Sequence, residues 1–252
     1  MKYIVLCLVL MCTSCAQTHV DLTKKNTEAT TKEQPESVVP APQTAQWSKK
    51  WWLPRHEEKL ALKNNMGQVD LVFLGDSITH FWDDRAKSVW DKYYAQRNAL
   101  NLGFSGDRTE HVLWRLNHGA VDGMSPKVLV LMIGTNNTGH RQDAPEDIAA
   151  GIKAILTNLE QKLPNTKVLL LAIFPRGATQ DDRLRKINDD TNNIIKNFHD
   201  GKQVHYLNIN HLFLDEKGVL SKQVMNDLLH PNVDQYPVWA EAIEPTIKQW
   251  IK

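Results

Sequence analysis

After residue 15 the chain has no cysteine, since all three stand at Cys7, Cys12 and Cys15. The remainder therefore has no thiol with which to form a disulfide, ligate a metal or act as a nucleophile. The chain also lacks an excess of either charge. Thirty Lys and Arg face 29 Asp and Glu, so there is no basic field for a polymer phosphate to bind, and nucleic acid is excluded as a partner. His and carboxylate residues are nowhere clustered at ligand spacing, so neither a metal nor another cofactor is implied. Missing too is an apolar run of the ~20 residues that a spanning helix needs.

The apolar run at the N-terminus, Tyr3 to Met11 after Met1-Lys2, has the length and positive start of a secretory signal. It ends in Cys12-Thr13-Ser14-Cys15-Ala16, which resembles the lipobox of bacterial lipoproteins, although Cys12 stands where a Leu-like residue is usual. Residues 1–15 are thus expected to be a signal peptide, with Cys15 the lipidated first residue and the lipid its only membrane contact. The location that follows is a membrane-anchored lipoprotein in the periplasm or at the cell surface; plain secretion is the alternative. Residues 16–46 are rich in Thr, Lys, Glu and Pro and poor in large apolar side chains, a composition that predicts a flexible linker. Residues 47–252 then form the folded domain, of a size ordinary for one α/β unit.

Val69 to Leu74 is a run of mostly apolar residues ending in Gly75-Asp76-Ser77, the pattern of a buried parallel strand that delivers a serine to the sheet's edge. Asp-Ser as a helix cap is the competing reading. Ala99 to Gly103 predicts a second strand, followed by Phe104-Ser105-Gly106-Asp107, where a turn capped by Asp107 would serve as well as a ligand-binding loop. Lys127 to Ile133, fully apolar after its lysine, ends in Gly134-Thr135-Asn136-Asn137, whose amides can donate into a cleft or simply form a turn. Helices over Pro145–Leu163 and Asp181–His199 alternate with strands over Lys167–Phe174 and Val204–Ile209, so the expected fold is α/β, a parallel sheet between helices. A helix of about ten residues ending near Gly67 is expected first, and a last one over Asp234–Ile251. Trp47, Trp51 and Trp52 could stack on sugar rings; aromatic burial energies favour their plugging the first helix onto the sheet. Finally, Asp227-Leu-Leu-His230 sets a carboxylate and an imidazole one turn apart, close enough to hold each other.

Gly75-Asp76-Ser77, Asn101-Leu-Gly-Phe-Ser-Gly106, Gly134-Thr-Asn136 and Asp227-x-x-His230 together resemble the four blocks of the GDSL/SGNH hydrolases. The resemblance is strongest to the catalytic subunits of brain-type (Ib) platelet-activating factor acetylhydrolase, through Gly106-Asp-Arg-Thr109, His111-Val-Leu-Trp-Arg-Leu116 and Gly134-Thr-Asn-Asn137. It implies a flavodoxin-like three-layer sandwich with a five-stranded parallel sheet. It further implies that Ser77 is the nucleophile, His230 its base and Asp227 the orienting acid, with the Ser77 and Gly106 N–H groups and the Asn136 side chain as oxyanion hole. The expected activity is hydrolysis of short-chain, chiefly acetyl, carboxylic esters, and the export address points to a carbohydrate carrier. A lipid-directed acetylhydrolase or lysophospholipase is the second reading, and a glycan-binding lipoprotein without catalysis the third. A homodimer is an assembly the resemblance leaves open.

Overall fold

Leu71–Gly75 forms β1, the strand about which the sheet is built, and every residue of it is buried. In the computed structural model, which describes residues 1–3 and 34–251, four further strands join it: β2 (Ala99–Gly103), β3 (Val128–Met132), β4 (Lys167–Leu171) and β5 (Val204–Leu207). They run parallel in the order β2-β1-β3-β4-β5. This is the flavodoxin-like order, in which ligands bind beyond the carboxyl ends of the strands where the order reverses. Here the reversal lies at β1, flanked by β2 and β3. The register sets Gly75 opposite both Gly103 and Met132, so the segments that follow these three strands leave the sheet along one edge.

Alternation along the strands fills two separate layers. Val72, Leu74, Leu129 and Leu131 face Val112 and Leu116 of α4 (Thr109–Asn117), Ile148, Ile152 and Ile155 of α5 (Pro145–Lys162) and Ile195 of α6 (Arg183–Ile195). Leu71, Phe73, Val128 and Val130 face Trp82, Trp90 of α3 (Lys87–Tyr93) and Trp239 and Ile243 of α7 (Tyr236–Trp250). The second layer is aromatic: Phe73 lies 4.7 Å from Tyr94, and Trp82 4.6 Å from Tyr236, between ring centroids. Each such buried side chain contributes ~1.5–3 kcal/mol by leaving water.

Local signals set most helix boundaries. Pro145 opens α5, Glu146 and Asp147 occupy its first turn, and its apolar stripe is buried, as helix geometry and the helix dipole favour. The Asp182 side chain caps α6 by accepting from the Leu184 and Arg185 N–H groups. The first helix, α1 (Trp52–Met66), is longer than expected and begins at the third tryptophan. The segment after Ser77 forms the short α2 (Ser77–His80), a 3-10 turn over Phe81–Asp83, and α3. Among the described residues no helix is long and apolar enough to cross a membrane; Cys15 and the signal segment from residue 4 lie outside the described residues.

Two expectations need correction. The compact unit begins at Gln34 rather than Trp47, because residues 34–46, assigned by composition to the linker, are fastened to the domain by hydrogen bonds. Ser37, fully buried, donates to the Asp147 carbonyl at 2.6 Å and its own carbonyl accepts from Thr109 at 2.8 Å. Gln43 donates to the Gly106 carbonyl at 3.2 Å. The three tryptophans do not share a fate either. Trp52 is buried and plugs α1 down as expected, whereas Trp47 remains 52% exposed and Trp51 half-buried.

Candidate active site

Ser77 is the first residue of α2, directly after the turn that ends β1. That turn requires glycine at position 75, since a Cβ there would stand 2.3 Å from the Thr79 hydroxyl and 2.4 Å from the Met132 carbonyl. Asp76 caps α2 by accepting from the Ile78 N–H at 3.0 Å, so the capping role read from Asp-Ser is real and coexists with the contact that Ser77 makes with His230. Burial pushes the Asp76 carboxyl up to about 7, with the nearby Asp107 adding to the rise and the Ile78 N–H opposing it.

The loop before α7 brings the imidazole to the serine. Ser77 Oγ lies 2.9 Å from His230 Nε2, and His230 Nδ1 lies 2.6 Å from Asp227 Oδ2. The other Asp227 oxygen accepts from the backbone N–H groups of Leu229 and His230 at 3.0 and 2.8 Å. Burial would raise Asp227, but its hydrogen bonds to the His230 side chain and to these N–H groups outweigh it and hold the carboxyl below its ordinary value. An ionised carboxylate only accepts, so the proton between them sits on Nδ1 and Nε2 is the ring nitrogen that faces the serine hydroxyl. Asn232 braces the loop, donating to the Gln223 carbonyl and accepting from the Asn226 N–H, while Gly177 N–H donates to the Leu228 carbonyl at 2.9 Å. Tyr236 Oη donates to the Ile78 carbonyl at 2.8 Å, which ties α7 to the helix carrying Ser77.

The loops after β2 and β3 stand on either side. Gly106 takes a φ of +76°, a left-handed backbone that glycine adopts without strain. Its neighbour Ser105 is 3.0 Å from His80 Nδ1 on α2, and the carbonyl of Asp107 accepts from Asn136 Nδ2 at 2.9 Å. Ser77, Gly106 and Asn136 are thereby drawn to one edge of the sheet, and one Asn136 amide hydrogen is engaged in holding the loop. The adjacent Asn137 is wholly structural: it accepts from the Thr109 N–H at 3.0 Å and donates to Asp143 at 3.0 Å.

Beneath Gly106 lies a charge pair. Asp107 and Arg115 meet at 2.8 Å with both side chains fully buried, and Trp52 Nε1 donates to the same carboxylate at 2.6 Å. Burial pushes Asp107 up to about 6 against the pull of Arg115 and Trp52. The helix cap read for Asp107 is therefore not its role, and Arg108 occupies the cap position of α4 instead.

Sequence reasoning missed three neighbours of the site. Arg176, in the segment after β4, donates to the Thr135 carbonyl at 2.7 Å; burial lowers its pKa while Asp182, Asp76 and Asp227 pull it back. His80, pushed down to about 4 by burial and then by the Arg55 charge, is neutral at neutral pH. Gln43 comes from the segment whose composition suggested no packing at all. Chemically, the arrangement offers a hydroxyl with a base in reach, a base with a fixed tautomer, and backbone and amide donors beside it.

The profile of the GDSL-like Lipase/Acylhydrolase family matches residues 73–237. Among curated proteins, the human platelet-activating factor acetylhydrolase IB subunit alpha1 is 32% identical over 180 residues, 71% of this chain and 75% of that one. The rat alpha2 subunit is 30% identical over 202 residues, 80% of this chain and 85% of that one. Among solved structures, a GDSL-like lipase from Bacteroides thetaiotaomicron superposes with a TM-score of 0.63 at 20% identity, covering 78% of this chain and 97% of that one. An acetylxylan esterase from Geobacillus stearothermophilus superposes with a TM-score of 0.55 at 16% identity, covering 71% of this chain and 94% of that one. At these identities the two structures speak to the fold.

Proposed function

The chain belongs to the GDSL-like lipase/acylhydrolase family and is an ester hydrolase, and from that premise we propose that Ser77, His230 and Asp227 are its catalytic triad and a short acyl ester of a carbohydrate its substrate. The observation that carries the triad is the pair of contacts at 2.9 and 2.6 Å linking the three side chains. Ser77 Oγ attacks the ester carbonyl carbon as His230 Nε2 takes the hydroxyl proton. The oxyanion is met by the N–H groups of Ser77 and Gly106 and by the second amide hydrogen of Asn136; one such donor is worth ~3–4 kcal/mol of barrier. Collapse breaks the bond to the alcohol, which leaves with the proton from His230, and a water activated by the same base releases the acid and restores Ser77.

The small acyl group is supported by the likeness to platelet-activating factor acetylhydrolase subunits and to an acetylxylan esterase, whose names both specify an acetyl group. Hydrolysis should fall at least ~10-fold, or ~1.4 kcal/mol in barrier, from acetyl to octanoyl p-nitrophenyl esters, and acetylated glycans should be cleaved. A kcat/KM that rose with chain length would replace this reading with the lipid-directed one, which the platelet-activating factor acetylhydrolase relatives favour.

The carbohydrate carrier is supported by the export address and by the fold shared with an acetylxylan esterase. In this reading the protein is exported and anchored through an acylated Cys15. Mass spectrometry of the mature N-terminus should find the lipid on Cys15; an unmodified N-terminus beyond residue 15 would remove the anchor.

A further inference from the structure

We infer that Trp47, Trp51 and His80 form a sugar-stacking shelf that receives the alcohol side of the ester. Three observations carry it. The first is position: the Trp47 ring lies so close to Gly106 that a Cβ there would meet its Cη2 at 2.1 Å, and His80 is three residues past Ser77 and bonded to Ser105. The shelf thus begins at the loop that faces the nucleophile. The second is continuity. Trp47 and Trp51 stack with centroids 6.0 Å apart and an interplanar angle of 28°, and Trp51 lies 5.9 Å from His80. More than half of Trp47 nevertheless faces solvent, an exposure that the core packing of Trp52 shows this segment does not need.

The third observation is the rim. A cavity of about 410 Å³ opens beside Trp51 and is lined by Lys50, Pro54, Arg55, Glu58 and His80. A pyranose presents apolar C–H bonds on its faces and hydroxyls around its edge, so it suits a flat aromatic wall bordered by the exposed Lys50 and Glu58, Arg55 being engaged by the Gly103 carbonyl and Asp83. An acyl chain has no hydroxyls to satisfy such a border and would leave it desolvated. The occupant is therefore a sugar ring of the alcohol moiety. Trp47 and Trp51 lie outside residues 73–237 that the family profile matches, and His80 lies inside them. The inference rests on the carbohydrate-ester reading, and binding can be measured apart from hydrolysis.

The full chain is titrated with unacetylated xylotetraose, cellotetraose and chitotetraose while tryptophan emission is followed. At least one should bind saturably, with Kd raised at least tenfold in Trp51→Ala and largely restored in Trp51→Phe, which keeps an aromatic face. In turnover, Trp51→Ala should lower kcat/KM on an acetylated oligosaccharide at least tenfold more than on ethyl acetate, whose alcohol is too small to reach the shelf. The shelf is overturned if the wild type binds none of the three, if Trp51→Ala and Trp51→Phe bind as the wild type does, or if both substrates suffer equally. Binding that persists without cleavage of any acetylated glycan would support the shelf and sink the substrate reading instead.

Discussion

Ser77→Ala should melt at the wild-type temperature and lose at least ~10³ of esterase turnover, the scale on which a triad fails when one member is removed. The expectation follows from how little else the hydroxyl does. Its contact is with His230 Nε2 at 2.9 Å, while the turn around it is held by other groups: Gly75, the Asp76 cap and the Tyr236 hydroxyl on the Ile78 carbonyl. Removing one oxygen therefore disturbs chemistry and leaves the fold alone. Assay with p-nitrophenyl acetate alongside a thermal melt checks both halves, and a variant retaining more than a tenth of wild-type activity would exclude Ser77 as nucleophile.

The largest stability effect is expected at Asp107→Ala. Removing one partner of a buried ion pair leaves the other charge uncompensated and costs about 3–5 kcal/mol. For a domain of this size each kcal/mol lowers Tm by about 2–4 °C, so the fall should be on the order of 10 °C. Arg115, fully buried, would be the stranded charge, and Trp52 would lose its acceptor. Pairing Asp107→Ala with Arg115→Met should recover part of the loss, because two neighbours that act as a unit are not additive. A Tm within 2 °C of wild type in the single variant would show that the pair does not hold this loop.

What could be read in the sequence follows from which forces leave a pattern there. Apolar runs ending in Gly-Asp-Ser and Gly-Thr-Asn announce strands and their edge, so the sheet, its neighbours and the positions of Ser77, Gly106 and Asn136 were legible. Asp227 and His230 were legible because three residues is a one-turn spacing. Ser37 and Gln43 were not, since a polar segment fastened by hydrogen bonds has the same composition as one fastened by nothing. Asp107 also misled: a cap and a buried counter-ion look alike until Arg115, eight residues on, is seen to fold back beneath it. The tryptophans show the limit of averages, for burial is correct for Trp52 and wrong for Trp47.

Fastening of the segment from Gln34 onward would shorten the reach of an anchored enzyme. If the proposed acylation of Cys15 holds, the chain between anchor and domain is residues 16–33 rather than 16–46. Fully drawn out, those eighteen residues span at most about 60 Å, where the longer stretch would span about 105 Å. The nucleophile would then sweep a shallow layer next to the bilayer, and a polymer too large to enter that layer would be trimmed only at ends or loops that stray into it.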